Sequence, residues 1–410
     1  MRVLLLPQVY PPESHPTAIM VHQLARALLD RGIDVSVACG YPHHPHGAVL
    51  GGYTKHALLR ESKDGVPVVR AWHLTTTRRS IPARALVMMS QAFATAIGGQ
   101  LSEPPDIVLN VGPPLIGPLA AALIAKRFGA KLVTIVYDIY PDVAVTTGKI
   151  KSSAIVAAGT LAANLGYRSS DSVVVLSEGF REALVEKGVP REKVEVIPVW
   201  LESDEIRPLP RQTPLREQLG LGPNRFVVLY AGTIGLVSGA TVVPEAAALV
   251  KNPRVAFVFV GAGEALPNVK RLVSARQITN VHFLPLQPRE RLAEVQASGD
   301  VGLVTLAPGC GRTSVPSKVV GYLAAGRPVI GSVDLNSDTA RCIKRSGGVV
   351  VSPGDPRALA TAVDDLAERS LEESGAAARG TFLREFTADA AIANYVRLFE
   401  SLAAGREKST

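Results

Sequence analysis

Residues 312–330 read Arg312-Thr-Ser-Val-Pro-Ser-Lys-Val-Val-Gly-Tyr-Leu-Ala-Ala-Gly-Arg-Pro-Val-Ile330. This pattern predicts a polar loop, a helix over residues 317–325, and a glycine turn into a strand at residues 328–330. A helix start carries unpaired N–H donors and a partial positive charge, which attract phosphate. Because Arg312 and Lys318 flank it, the stretch is typical of a unit that holds a diphosphate. An ordinary helix capped by Ser314 or Ser317 has the same local pattern.

The composition is that of a globular protein. The chain has 410 residues, of which 47% are hydrophobic and 20% charged, and its length suggests two or three domains of ~150 residues each. Three scattered cysteines are too few for a disulfide framework or a zinc site and fit a reducing cytosol. The apolar runs are shorter than the ~20 residues of a membrane span. We therefore expect a cytoplasmic protein that at most attaches to the inner face of the plasma membrane.

Short apolar strands alternate with helical segments along two stretches of the chain. The first series ends at the strand predicted for residues 194–197, and the second begins at residues 226–231. Residues 198–223 between them contain five prolines, which is typical of a linker. Strands that are apolar throughout and alternate with helices predict parallel sheets covered on both faces.

The predicted fold class is therefore α/β, with two Rossmann-like doubly wound domains. We expect a first domain at residues 1–200, a second at residues 201–385, and a C-terminal helix at residues 386–410 that returns toward the first domain.

Glycine-rich loops follow two strands of the second series. Gly232, Thr233 and Gly235 follow the first strand, and Gly261 and Gly263 follow the second. Ligands of open parallel sheets bind beyond the carboxyl ends of the strands, and glycines there let a ligand approach the backbone. Together with the loop before the predicted phosphate-binding helix, these loops outline a nucleotide pocket. No Gly-x-Gly-x-x-Gly opens either half, which argues against a dehydrogenase.

Much of the net charge of +8 is local. Residues 55–84 contain seven basic and two acidic residues, and a mostly apolar helical run follows at residues 85–97. Basic residues beside an apolar helix are able to dock on an anionic membrane, whereas a solvated hairpin followed by a core helix gives the same pattern. No nucleic-acid-binding motif accompanies the charge, so we expect no nucleic-acid partner.

Several motifs occur in a characteristic order. They are Pro11-Pro12-Glu13, Asp138-Ile-Tyr-Pro-Asp142, Tyr230-Ala-Gly-Thr233, Phe259-Val-Gly-Ala-Gly263, Ser314-Val-Pro-Ser-Lys318 and Tyr322-Leu-Ala-Ala-Gly-Arg-Pro328. In this order they resemble the retaining family-4 glycosyltransferases of the GT-B fold, on the branch that includes bacterial O-antigen, capsule and L-fucosamine-type transferases. The resemblance covers nearly the whole chain. It implies two domains facing a cleft, with a nucleotide-sugar donor in the second domain and a saccharide acceptor in the first.

The resemblance also implies residue roles. The expected donor site comprises Gly232, Thr233, Gly235, Gly261, Gly263, Leu286, Arg312, Ser314, Pro316, Ser317 and Lys318. Arg312 and Lys318, with the amide of Ser317, are expected to stabilise the leaving diphosphate.

Asp138 and Asp142 follow a strand on the acceptor side, where they are expected either to orient the acceptor hydroxyl or to cap the next helix. His15, in the first loop, is a further candidate on the acceptor side. With Arg312 and Lys318, the two aspartates complete the predicted catalytic set.

The chain also departs from the family pattern. Two glutamates of the family, eight positions apart, are replaced by Thr313 and Gly321. This leaves two alternatives open, namely a non-hydrolysing nucleotide-sugar 2-epimerase of the same architecture and a non-catalytic nucleotide-sugar-binding subunit. Without an Asp-x-Asp motif, we expect no metal and no cofactor beyond the nucleotide-sugar. The basic run favours a polyprenyl-diphosphate-linked acceptor at a membrane surface.

Overall fold

A computed structural model gives the fold of the chain. It describes residues 1–13, 15–44, 47–53, 57–78, 80–112, 116–142, 145, 152–312 and 317–407. The chain forms two compact units, one of Met1–Ile197 with Ile392–Thr410, and one of Pro198–Ala391.

The first unit is built on a mixed sheet. Its strands are β1 (Arg2–Pro7), β2 (Asp34–Gly40), β3 (Leu58–Lys63), β4 (Val66–Ala71), β5 (Ile107–Val111), β6 (Lys131–Val136), β7 (Ser172–Val175) and β8 (Val194–Val196). Its helices are α1 (Pro16–Asp30), α2 (Ile81–Gln100), α3 (Gly117–Phe128), α4 (Ser153–Ser169) and α5 (Glu178–Glu186). The strand order is β3-β4-β2-β1-β5-β6-β7-β8, parallel except for the β3–β4 hairpin. The order reverses between β1 and β5, which is where open α/β sheets bind ligands.

The second unit has a wholly parallel sheet. Its strands are β9 (Phe226–Ala231), β10 (Val255–Val260), β11 (Val281–Leu284), β12 (Val301–Thr305), β13 (Val329–Ser332) and β14 (Val349–Val351). Its helices are α6 (Pro214–Gln218), α7 (Val242–Ala247), α8 (Leu266–Ala275), α9 (Leu292–Ala297), α10 (Lys318–Ala324), α11 (Asp338–Arg345), α12 (Pro356–Ala367) and α13 (Glu372–Glu385). The last described helix, α14 (Ala388–Glu407), belongs mostly to the first unit. The strand order β11-β10-β9-β12-β13-β14 is that of the Rossmann fold, with its switch point between β9 and β12.

The apolar strands explain the layered packing. In β9, Val227 and Leu229 pack into one buried cluster, while Val228 and Tyr230 pack into the cluster on the other side of the sheet. A strand with two apolar faces must be covered by helices on both sides. The predicted α/β fold with two Rossmann-like doubly wound domains is confirmed.

The basic run at residues 55–84 does not form one exposed patch. Arg70 in β4 is fully buried, with its Nε 2.6 Å from a carboxylate oxygen of Glu61 in β3. Lys63 lies 3.5 Å from Asp64 in the turn of the same hairpin. Lys55, Arg79 and the side chain of Arg84 lie outside the described residues. The predicted hairpin is present, formed by β3 and β4. The prediction that its charged residues are solvated is wrong for Arg70, whose charge is compensated in the interior by Glu61.

Candidate functional site

At the switch point of the second sheet, the end of β9 is unpaired on the side that faces β12. β12 pairs with β9 only as far as Gly302 opposite Leu229. Beyond that pair, the buried hydroxyl of Tyr322 in α10 donates to the carbonyl of Leu229 (2.9 Å) and accepts from the amide of Ala231 (2.8 Å). A Cβ at Gly302 would lie 2.2 Å from the Tyr322 ring, so only glycine leaves room for it. Tyr322 thus joins α10 to the end of β9.

Tyr322 lies in a motif of the sequence, but the motif did not predict a function for it. The available signal was its spacing, because Tyr322 follows Lys318 by four residues and both therefore lie on the same side of the helix. A helix fixed to β9 through Tyr322 also fixes the direction in which Lys318 extends.

Lys318 lies beside the loop that follows β9. Its Nζ donates to the carbonyl of Thr233 (3.3 Å) and is 3.8 Å from the centroid of the Tyr230 ring. Burial lowers the pKa of the Lys318 ammonium to about 7. The side chain of the preceding residue, Ser317, makes no capping hydrogen bond to the helix, so for this serine the capping interpretation is wrong. The amino group of Lys318 is therefore held at the switch point, next to Gly232.

The glycines after β9 and β10 have different roles. A Cβ at Gly261 would lie 2.0 Å from the carbonyl oxygen of Gly232, and one at Gly263 would lie 2.3 Å from that of Ile234. These two glycines are needed where one loop packs on the other, a role that the sequence did not predict. Their contact with the donor stays a prediction. A Cβ at Gly232 or Gly235 would meet its nearest side-chain atom only at 3.9 Å. The loop at residues 232–235 is therefore the open surface.

The remaining predicted donor residues are only partly described. Leu286 follows β11 at the same carboxyl edge and is exposed. Ser314 and Pro316, together with Thr313, lie outside the described residues, as does the side chain of Arg312.

Gly321 is buried within α10, close to Gln296. A Cβ at position 321 would lie 3.1 Å from Nε2 of Gln296. Within the described part of the chain, the buried Oε1 of Gln296 has no hydrogen-bond partner. The Gln296 amide thus lies where a glutamate at position 321 would extend.

In the first unit, the buried carboxylate of Glu13 connects two loops at the carboxyl edge of the sheet. One oxygen accepts hydrogen bonds from the amides of His43 (3.0 Å) and His44 (2.9 Å), and the other accepts from the amide of Tyr10 (3.1 Å). The loop after β1 is thereby tied to the loop after β2. Sequence reasoning included Glu13 in a motif but did not predict this function.

Two of the predicted acceptor-side residues have structural partners. The Nδ1 of His15 accepts a hydrogen bond from the amide of Thr17 (3.2 Å) and caps α1, and burial lowers the pKa of this imidazole. Asp142 forms an ion pair with Nζ of Lys187 (2.9 Å). These contacts give His15 and Asp142 structural roles that the sequence did not predict. Their roles on the acceptor side stay predictions.

Asp138 differs from both. It follows β6 at the carboxyl edge, and its side chain reaches the surface. The surrounding protein nevertheless removes part of the hydration of the carboxylate and raises its pKa. A carboxyl group of raised pKa at this edge suits an interaction with a hydroxyl group.

The prediction of no metal and no cofactor stays a prediction. The described residues contain no group of three or more His, Cys, Asp or Glu side chains arranged for a metal ion. Cys39, Cys310 and Cys342 are buried, and none of them forms a disulfide.

Comparisons with known proteins match both units. Residues 17–200 match a glycosyl transferase 4-like domain, and residues 225–369 match glycosyl transferases group 1. The chain is 26% identical over 317 residues to the probable glycosyltransferase WbjE of Pseudomonas aeruginosa, covering 76% of this chain and 79% of WbjE. It is 26% identical over 360 residues to the putative colanic acid biosynthesis glycosyl transferase WcaI of Escherichia coli K12, covering 86% and 88%.

Solved structures share the fold. Anabaena HepE, solved in complex with UDP, has a TM-score of 0.73 at 16% identity, covering 98% of this chain and 100% of HepE. Sucrose-phosphate synthase from Thermosynechococcus elongatus has a TM-score of 0.74 at 18% identity, covering 98% and 99%. These neighbours establish the GT-B fold.

Replacing Gly261 by alanine should destabilise the second unit. The new methyl group meets the Gly232 carbonyl, and overpacking of this kind costs about 1–3 kcal/mol. We expect a lower melting temperature by circular dichroism. Gly235→Ala is the matched control, because the space beside Gly235 is open and its φ is −89°. Equal melting temperatures for the two variants would contradict this packing role.

Replacing Tyr322 by phenylalanine should leave the Ala231 amide unpaired and remove one hydrogen bond from the Leu229 carbonyl. Unsatisfied buried groups of this kind cost about 1–3 kcal/mol, which chemical denaturation measures. The matched control is Tyr167→Phe, because the buried Tyr167 hydroxyl has no partner among the described residues. If both variants unfold at the same denaturant concentration, the Tyr322 hydroxyl does not stabilise β9.

Proposed function

With a glycosyl transferase 4-like domain and a group 1 domain, the chain is a glycosyltransferase, and we propose that it uses a nucleoside-diphosphate sugar to extend a lipid-linked saccharide with retention of configuration. The donor binds the second unit and the acceptor the first. Both curated relatives carry glycosyltransferase names, and one name refers to colanic acid biosynthesis. The UDP in the HepE structure supports a nucleoside diphosphate as the leaving group.

The position of Lys318 is the observation that carries the proposal. Departure of a nucleoside diphosphate leaves negative charge on the terminal phosphate, and a fixed cation in a partly buried site stabilises that charge. Lys318 is held by the Thr233 carbonyl and the Tyr230 ring, directly beside the open loop at residues 232–235. In this proposal Arg312 and the amide of Ser317 supply further donors, and Ser314 and Pro316 complete the phosphate loop.

The proposed chemistry needs few protein groups. In a front-face displacement, the acceptor hydroxyl attacks the sugar on the side from which the diphosphate leaves. The bond from the sugar to the phosphate oxygen breaks as the bond to the acceptor oxygen forms, and the leaving phosphate takes the acceptor proton. Asp138 orients the acceptor hydroxyl. Asp142 and His15 support the adjacent loops through the contacts with Lys187 and Thr17.

Two other functions make different predictions. An epimerase would convert a UDP-sugar into its epimer without an acceptor, and the Gly321 position motivates a subunit that binds nucleotide-sugar without transferring it. Incubation with UDP-sugars, with and without a polyprenyl-diphosphate-linked acceptor, distinguishes all three. Product that requires the acceptor supports our proposal, whereas epimer formation or binding without any product contradicts it.

Lys318→Ala should weaken donor binding. A hydrogen bond to a charged group contributes about 1.5–3 kcal/mol, which is a loss of roughly 10- to 150-fold in affinity. Titration calorimetry with UDP-, GDP- and dTDP-sugars measures the loss and identifies the base. Lys270→Ala is the control, because that lysine lies over the Phe283 ring, away from the switch point. Unchanged affinity in Lys318→Ala would refute the assigned role.

The pH dependence follows from the same residue. With a pKa of about 7, Lys318 is mostly neutral in the free protein above that pH. A bound diphosphate favours the ammonium form and raises its pKa. Donor binding above pH 7 should therefore take up a proton, which calorimetry in buffers of different ionisation enthalpy detects, and Lys318→Met should abolish this uptake.

Asp138→Asn should lower kcat by about 100-fold, since loss of the group that positions the attacking hydroxyl costs roughly that factor. Donor affinity should not change. Asp142→Asn is the matched control, because loss of its half-exposed ion pair with Lys187 costs about 1 kcal/mol of stability at most. Transfer assays and denaturation curves of both variants test this assignment. It fails if Asp138→Asn retains full kcat.

A further inference from the structure

Three helices of the first unit form a layer whose outer surface is apolar. α3 packs against α2 on one side and against α4 on the other. The outward side chains of α2 include Leu86, Met89, Phe93 and Ile97, which follow one another at helical spacing and are all exposed. The stripe extends over about 16 Å at 1.5 Å per residue.

The neighbouring helices continue this surface. Leu123 of α3 and Ile155, Leu161 and Leu165 of α4 are likewise exposed, with Leu123 at 67% and Leu161 at 61%. A surface helix normally carries polar residues on its outer side. Contiguous exposed apolar residues usually mark a protein or membrane interaction site.

All charged residues of these three helices are basic. None of the three contains an aspartate or glutamate, and their charged residues are Arg84, Lys126, Arg127 and Arg168. Lys126, Arg127 and Arg168 are exposed at the C-terminal ends of α3 and α4, where no described carboxylate pairs with them. The apolar surface therefore has a basic rim.

We propose that the exposed surface of α2, α3 and α4 docks on an anionic lipid bilayer. An apolar surface enters the interfacial region, while cations at its edge contact anionic headgroups. A second copy of the chain is a poorer partner, because a two-fold interface would place two surfaces of the same positive charge against each other, and none of these helices contains a carboxylate to compensate it. This surface differs from the basic hairpin at residues 55–84, in which Arg70 is buried and paired with Glu61.

The docking surface leads toward the proposed acceptor site. Right-handed crossovers run antiparallel to the strands they connect, so the N-terminal ends of these helices lie at the carboxyl edge of the sheet. Asp138 follows β6 at that edge, between the crossovers formed by α3 and α4. A lipid anchor in the bilayer would thus extend its saccharide toward Asp138. This last step rests on the proposed function, whereas the docking itself does not.

Vesicle flotation with the full chain tests docking. We expect binding at low salt to vesicles of phosphatidylcholine mixed with phosphatidylglycerol, and weaker binding to phosphatidylcholine alone. Phe93→Gln/Ile97→Gln should reduce the partition coefficient at least ten-fold. The matched control is Leu335→Gln/Leu383→Gln, two apolar residues of the second unit that are about as exposed as Met89, and it should bind like the wild type.

The rim is tested in the same assay. Lys126→Gln/Arg127→Gln should reduce binding to the anionic vesicles about 25-fold, from roughly five-fold for each cation. Lys251→Gln/Lys344→Gln removes two exposed lysines elsewhere and is the control. Melting curves and UDP-sugar affinity, measured for every variant, show that each is folded and separate this test from that of donor binding.

Three results would overturn the docking proposal. In the first, the wild type does not float with vesicles at low salt. In the second, the surface variants and the control variants float equally. In the third, the lipid-free protein is a dimer that Phe93→Gln/Ile97→Gln converts to a monomer. The third result would assign the surface to a second copy of the chain.

Discussion

At the switch point of the second sheet, two parallel strands diverge and backbone groups of β9 lose their partners. Buried N–H and C=O groups must be paired, because an unpaired group is costly in the interior. The Tyr322 hydroxyl pairs with one group of each kind, and Gly302 provides the space for its ring. The position of α10 follows from this contact, and the position of Lys318 follows from that of α10. The geometry of the candidate donor site therefore follows from the need to pair the backbone groups at the end of β9.

Buried polar side chains have a similar role elsewhere. Glu13 joins two loops of the first unit through three backbone amides. Asp300, just before β12, accepts from the amide of Val227 (2.7 Å) and from the buried guanidinium of Arg216 (2.6 Å). In each case a charged group is stabilised in the interior because its hydrogen-bonding capacity is met.

Much of the fold followed from the sequence because apolar strands and glycine or proline breaks are local signals. The Rossmann-like alternation, the proline-rich linker and the loop after β9 were all predictable in this way. The roles of Tyr322 and Glu13 were not, since each depends on partners that are distant in the sequence. Gly261 shows a further limit, because a glycine that admits a ligand and one that admits another loop look alike in a sequence. The burial of Arg70 was not predictable either, because Glu61, which compensates its charge, lies on the other strand of the hairpin.

The hydrogen bond that caps α1 depends on pH. An imidazole accepts a hydrogen bond at Nδ1 only while that nitrogen keeps its lone pair. The bond from the Thr17 amide to His15 therefore exists only in the neutral form, and burial lowers the pKa of the ring and preserves that form. Protonation in acid would turn the acceptor into a donor facing another donor. The N-terminus of α1 thus loses its capping hydrogen bond when the pH falls below the pKa of His15.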